Sequence, residues 1–209
     1  DVAPLTELCD LKDRFEALLM VDDAHGTGVS GKNGRGTGEA LGCLERIDLH
    51  MGTLGKALGC AGAYLAADRV IIDTLINRSR SFIFSTSLPP GVPAAASAAL
   101  DLVDSEEGRN LRRKLAENRT LFAGLLQDGG MDLLGSTTQI VPILTRDPDP
   151  TMQMTERLLE RGVFLQGVRP PTVGTGLCRL RATVMAGHSA VELTDAVGKI
   201  LDVYREYAG

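Results

Sequence analysis

The chain has 209 residues, 44% of them hydrophobic and 23% charged, with a formal net charge of −5. That apolar content is enough for one or two modest cores and too high for a disordered tail. Lys and Arg total 22 against 27 for Asp and Glu, so there is no basic surplus to argue for nucleic acid, and no uninterrupted apolar stretch is long enough to span a membrane. Cys9, Cys43, Cys60 and Cys178 are widely spaced and form no CxxC pair. They read as reduced buried thiols rather than disulfides or zinc ligands, and no metal site is expected. The opening Asp1-Val2-Ala3-Pro4 shows no basic region followed by an apolar run, so no signal peptide is expected and the cytoplasm is the expected compartment.

In chain order, residues 5–18 have the apolar spacing of an amphipathic helix, with Pro4 suited to its first turn. Residues 17–21 form an apolar run ending at Asp22-Asp23, the pattern of a buried parallel strand. Residues 26–42 are glycine-rich and read as loop. Residues 49–54 and 61–66 read as strands, 69–77 as a helix, and 81–85 as a short strand or extended segment. Pro89-Pro90 ends that region. Residues 94–103 and 111–126 are helical, with Gly108 a candidate bend. Residues 140–144 are strand-like, 147–150 a turn, 151–161 a helix, and 163–166 and 180–184 strands. A last helix covers 190–207, and Ser189 with Glu192 offers a capping box. The alternation predicts an α/β chain, mostly parallel sheet in residues 1–107, followed by a smaller α+β unit in 108–209.

Three clusters carry chemistry. Asp22-Asp23-Ala24-His25-Gly26 follows a buried strand, at the edge where open α/β sheets place ligands. A carboxylate there binds a cation or caps a turn. Lys56, within Thr53-Leu54-Gly55-Lys56-Ala57-Leu58-Gly59, is a candidate amine nucleophile if its small, apolar surroundings limit its hydration, and otherwise a surface lysine in a turn. Arg179 and Arg181 share one face of a strand, where an arginine grips a carboxylate or is simply solvated. Gly26-Thr27-Gly28-Val29-Ser30-Gly31 matches a dinucleotide fingerprint, with Asp48 about twenty residues on. The glycine-rich stretch after it cannot open the helix that the fingerprint requires, so that reading is set aside.

Several motifs in order resemble the α-oxoamine synthase family of pyridoxal-phosphate enzymes, of the aspartate-aminotransferase fold type. They are Val21-Asp22-Asp23-Ala24-His25-Gly26-Thr27-Gly28, Gly34-Arg35-Gly36, Gly52-Thr53-Leu54-Gly55-Lys56-Ala57-Leu58-Gly59 and Phe82-Ile83-Phe84-Ser85-Thr86-Ser87-Leu88-Pro89-Pro90. The resemblance covers essentially the whole chain. It implies the C-terminal part of a large cofactor-binding domain (1–107) and a small C-terminal domain (108–209). Arg169-Pro170-Pro171-Thr172-Val173, Arg179-Leu180-Arg181 and Ala186-Gly187-His188 resemble the branch that condenses L-alanine with a pimeloyl thioester, with decarboxylation.

The resemblance also implies roles. Lys56 would form the internal aldimine and later carry a proton at the substrate α-carbon. Asp22 would pair with the pyridinium nitrogen and His25 with the ring's phenolic oxygen. Thr53 would hold the cofactor phosphate, and Ser85 or Thr86 would reach the phosphate across a homodimer interface. Arg181 would grip the amino-acid carboxylate, and Thr172 would lie near the acyl substrate, a coenzyme A or carrier-protein thioester. Asp23, Arg179 and His188 are read as structural. The resemblance begins in the middle of the family's large domain, so a preceding half with further cofactor and thioester contacts is expected. The 209 residues alone are expected either to be poorly soluble or to associate with a partner, and to be inactive. The competing expectations are a glycine- or serine-using member of the same family and a non-catalytic subunit.

Overall fold

The computed structural model describes residues 1–207. The chain divides into two compact units, one running Val2–Arg112 and one beginning at Arg113.

In the first unit, α1 (Leu5–Phe15) ends at Glu16, whose φ of 50° stops the helix short of residue 18. β1 (Met20–Asp22) follows. The glycine-rich stretch is less irregular than its composition suggests, because it contains a short helix, α2 (Thr37–Ala40), and a 3-10 turn follows at Leu44–Arg46. β2 (Leu49–Thr53) and β3 (Ala63–Ala67) complete a sheet of order β1-β2-β3. β1 runs parallel to β2, with Asp22 opposite Met51, whereas β3 is antiparallel to β2. The expected mostly parallel sheet is therefore mixed. The segment joining β2 to β3 has no crossover helix, and a parallel neighbour needs one. α3 (Arg69–Arg78) follows, then α4 (Arg80–Ile83), where extended structure was expected over 81–85. Backbone bonds from Ile83 and Phe84 to Ser79 and Arg80 close that helical turn. α5 (Gly91–Asp104) and α6 (Glu106–Asp128) are separated at Ser105, whose extended backbone makes the break. Gly108 lies inside α6 and packs close to the carbonyls of Leu102 and Val103, so the bend precedes it.

Two small cores hold this unit. Leu5, Cys9, Cys43 and Ile47 pack together, so two cysteines far apart in sequence share one cluster. Burial pushes the Cys43 thiol up, and the neighbouring Cys9 adds to the shift. Leu54, Leu58 and Ala96 form the other core. All four cysteines are free.

The second unit is an antiparallel sheet of order β4-β6-β5 with helices packed on it. β4 (Ile140–Arg146) and β6 (Cys178–Thr183) alternate inward and outward residues, and β5 (Gln166–Val168) is shorter and later than the expected 163–166. α7 (Pro148–Glu160) begins inside the expected turn, because proline is acceptable in the first turn of a helix, where the missing N–H has no partner to lose. α8 (Ala190–Tyr207) opens on the expected capping box. Ser189 N–H donates to Glu192 Oε2 (2.8 Å), and Glu192 N–H donates to Ser189 Oγ (3.2 Å). Val141, Ile143, Leu180 and Ala182 from the sheet meet Leu126, Leu158, Val197 and Ile200 from the helices in one continuous core. Each of these valine, leucine and isoleucine side chains contributes about 1.5–3 kcal/mol when fully buried. Among the described residues, no helix is long and apolar enough to cross a membrane, and no cluster of three or more His, Cys, Asp or Glu could hold a metal.

Candidate active site

β1 and β2 end side by side, and Asp22, His25, Thr53 and Lys56 lie at or just beyond those ends. Asp22 is the last residue of β1, and its Oδ1 accepts the N–H of Ala24 (3.0 Å). Ala24 O in turn accepts the hydroxyl of Thr53, the last residue of β2 (3.3 Å). Thr53 Oγ1 accepts Lys56 Nζ (3.0 Å). A continuous chain of hydrogen bonds therefore runs from Lys56 through Thr53 and Ala24 to Asp22. His25, next along from Ala24, is exposed at the same edge.

The loop carrying Lys56 is fixed by its own apolar residues. Leu54 and Leu58 are buried, Leu54 N–H bonds Gly62 O (2.9 Å), and Cys60 N–H bonds Leu54 O (2.7 Å). Lys56 lies between these two anchors and faces solvent. Burial does not deprive its ammonium of water in this chain, which corrects the desolvation argument made from its neighbours. Its Thr53 contact is what marks it.

The glycine-rich loop wraps a second carboxylate. Asp23 Oδ2 accepts the N–H of Thr37 and Oδ1 accepts its hydroxyl, each at 2.6 Å. A Cβ on Gly26 would fall 2.1 Å from Asp23 Oδ1, and one on Gly36 would fall 1.9 Å from Oδ2. Gly26, the first glycine of the apparent dinucleotide fingerprint, and Gly36 beyond it thus make room for a side chain of the protein itself. No helix opens between β1 and Thr37. Glu39 pins the loop tip, accepting Asn33 N–H (3.1 Å) and Arg35 N–H (3.0 Å). Burial opposes its ionisation, but these bonds outweigh that cost and hold its carboxyl below the usual range. Thr27 Oγ1 meets the Tyr64 hydroxyl at 3.0 Å, tying the loop to β3.

The remaining predicted site residues are not joined to this chain of bonds. Ser85 and Thr86 are exposed just after α4, and Ser85 Oγ donates to Ser81 O (2.5 Å). Phe82 and Phe84 beside them are 63% and 74% exposed. Arg181 belongs to the second unit, half-buried on β6 opposite Pro142 and Gln166. Arg179 shares its face of the strand, because Cys178, Leu180 and Ala182 take the buried one. Thr172 is exposed in the turn between β5 and β6, its N–H bonded to Arg169 O (3.1 Å). His188 Nδ1 accepts Met185 N–H (3.3 Å), and its carbonyl accepts Asn118 Nδ2 (2.8 Å). Two participants escape a sequence reading. The Ala24 carbonyl carries no side-chain signal, while Asp23 is signalled only by an adjacent carboxylate and two glycines ten residues apart.

The chain belongs to the aminotransferase class I and II family, which it matches over residues 1–200. Among curated relatives, it is 58% identical over 203 residues to the 8-amino-7-oxononanoate synthase of Citrifermentans bemidjiense, covering 97% of this chain and 52% of the relative. A solved structure of SPT with a pyridoxal phosphate internal aldimine superposes with a TM-score of 0.93 at 29% identity, covering 100% of this chain and 52% of that one. The 8-amino-7-oxononanoate synthase of Francisella tularensis gives a TM-score of 0.81 at 26% identity, covering 99% and 60%. The chain spans about half the length of the curated relatives it matches.

Proposed function

We propose that this chain carries the lysine-bearing half of a pyridoxal-phosphate-dependent acyltransferase that condenses L-alanine with a pimeloyl thioester, releasing CO2 and forming 8-amino-7-oxononanoate for biotin synthesis. The observation that carries this reading is the hydrogen-bonded chain Lys56–Thr53–Ala24–Asp22, which ties an amine, a hydroxyl and a carboxylate to the ends of two parallel strands. These groups suit the cofactor's three demands: an amine for its aldehyde, a hydroxyl for its phosphate and an anion for its ring nitrogen.

When bound, pyridoxal phosphate supplies an electron sink for bond cleavage at the amino-acid α-carbon. Lys56 Nζ would hold the cofactor and would move a proton at that carbon. The Asp22 carboxylate would accept the ring N–H, and His25 would orient the ring from the same turn. The Thr53 hydroxyl would bind phosphate, Arg181 would bind the substrate carboxylate as a bidentate donor, and Thr172 would line the acyl side.

We further propose a cytoplasmic homodimer in which Ser85 or Thr86 reaches the phosphate of the facing subunit. The exposed Phe82 and Phe84 support that reading, since large exposed aromatics are typical of interface cores. Retention of Lys56, Asp22 and His25 together argues against a non-catalytic subunit. The test is a hybrid enzyme whose first half comes from the Citrifermentans bemidjiense relative and whose second half is this chain. It should release CO2 from alanine in the presence of pimeloyl-coenzyme A. A preference for glycine or serine would move the assignment to another α-oxoamine synthase. No turnover with any of the three would defeat it.

A further inference from the structure

We infer that Asp23 is a positioning residue of this site, holding the turn that carries Asp22 and His25 in one arrangement through Thr37. The sequence offers Asp23 only as a structural acid beside Asp22, yet its backbone and its carboxylate are both bonded across the turn. Its N–H donates to Met51 O on β2 (2.8 Å), and its carbonyl accepts the N–H groups of Gly26 (3.0 Å) and Thr27 (2.9 Å) and the Thr27 hydroxyl (3.0 Å). Its carboxylate spans the loop to Thr37, taking the N–H on one oxygen and the hydroxyl on the other. Both bonds are short and charge-assisted, the stronger kind.

The carboxylate is also enclosed. Gly26 and Gly36 leave no space for a Cβ on either side of it, and Gly36 takes a φ of 97° to do so. A simple turn cap needs one donor and no such slot. Here residues 26, 36 and 37 all conform to the one acid, and the acid lies between the two residues assigned to the cofactor ring. Asp23 touches neither substrate nor cofactor in this account. It acts through the backbone of Asp22 to His25. The inference rests on the proposed function for what the turn binds, and not for how the turn is held.

The test compares the cofactor-free hybrid enzyme proposed above with its Asp23→Ala, Thr37→Ala and Thr37→Ser variants. Two readouts need no ligand: amide hydrogen exchange, and the ring resonances of His25 by NMR. Loss of a charge-assisted bond is expected to speed exchange at Gly26 and Thr27 about tenfold in Asp23→Ala and Thr37→Ala. Amides of the β2–β3 ladder should hold. The His25 resonances should shift in both variants and return to the parent positions in Thr37→Ser, which keeps the hydroxyl. If Asp23→Ala does not fold, the Thr37→Ala and Thr37→Ser pair carries the test. His25 resonances identical in parent and Thr37→Ala, or a Thr37→Ser variant that behaves as Thr37→Ala, would overturn the inference. Adding pyridoxal phosphate to the hybrid enzyme separates the two claims. Its failure to bind would count against the proposed function, while the ligand-free readouts still decide the role of Asp23.

Discussion

Lys56 Nζ donates a 3.0 Å hydrogen bond to Thr53 Oγ1, and the Thr53 hydroxyl donates in turn to Ala24 O at 3.3 Å. One hydroxyl thereby connects the lysine loop with the turn after β1. Thr53→Val keeps the branched shape and removes the hydroxyl, so it tests that connection with little change in packing. Cofactor affinity should fall about tenfold, the scale of one hydrogen bond to a charged group, and Thr53→Ser should restore most of it. Titration with pyridoxal phosphate, followed by visible absorbance, measures both.

The lysine loop depends on the core beneath it. Leu58 is buried with Leu54 and Ala96, two residues after Lys56. Leu58→Ala should destabilise the first unit by about 2–4 kcal/mol through lost burial and the cavity left behind. It should also quicken amide exchange at Cys60, whose N–H closes the loop onto Leu54. Urea unfolding and hydrogen exchange read these effects separately.

In the second unit, adjacent leucines make a sharper contrast. Leu158 is fully buried and Leu159 is 58% exposed, although both lie in α7. Leu158→Ala should cost about 2–5 kcal/mol, and Leu159→Ala should stay within about 0.5 kcal/mol. Equal losses in thermal unfolding would mean that the core is assigned to the wrong face of the helix.

Much of this was legible in the sequence, for identifiable reasons. α8 matches its expected bounds because a capping box opens it and the apolar period of Leu193, Val197 and Ile200 carries it. β2 was expected over 49–54 and forms at Leu49–Thr53, and β6 shows the alternation of inward and outward residues that put Arg179 and Arg181 on one face. What failed depends on distant partners. The segment 81–85 has the composition of a strand, but without a neighbouring strand its residues close a helical turn on Ser79 and Arg80. The antiparallel placing of β3 depends on a connection whose path no local pattern records. At the site, Asp22, Thr53 and Lys56 were legible as motif members. Their hydrogen-bonded chain was not, because one of its links is a backbone carbonyl.

The first unit should lose stability in acid. The Asp48 carboxyl is held below its usual range, first by the Leu19 N–H at 2.8 Å and then by Lys12 at 3.0 Å. A carboxylate depressed in the folded state stabilises above its unfolded value, about 3.9 for Asp, and that stability is lost as pH falls through the lower folded value. Glu39 acts with the same sign. Asp48→Asn should therefore be less stable than the parent at neutral pH, by about 1–2 kcal/mol. It should also lose less on acidification below about pH 4. Urea midpoints at neutral and acid pH check both statements.

The central claim is that Lys56 is the residue that takes the cofactor. The chain should be incubated with pyridoxal phosphate, reduced with borohydride, digested and mapped by mass spectrometry. The account predicts a pyridoxyl adduct on Lys56 in the peptide containing Thr53 and Leu54, absent from Lys56→Ala. Adducts spread over Lys32, Lys114 and other lysines, with Lys56 not favoured, would contradict it.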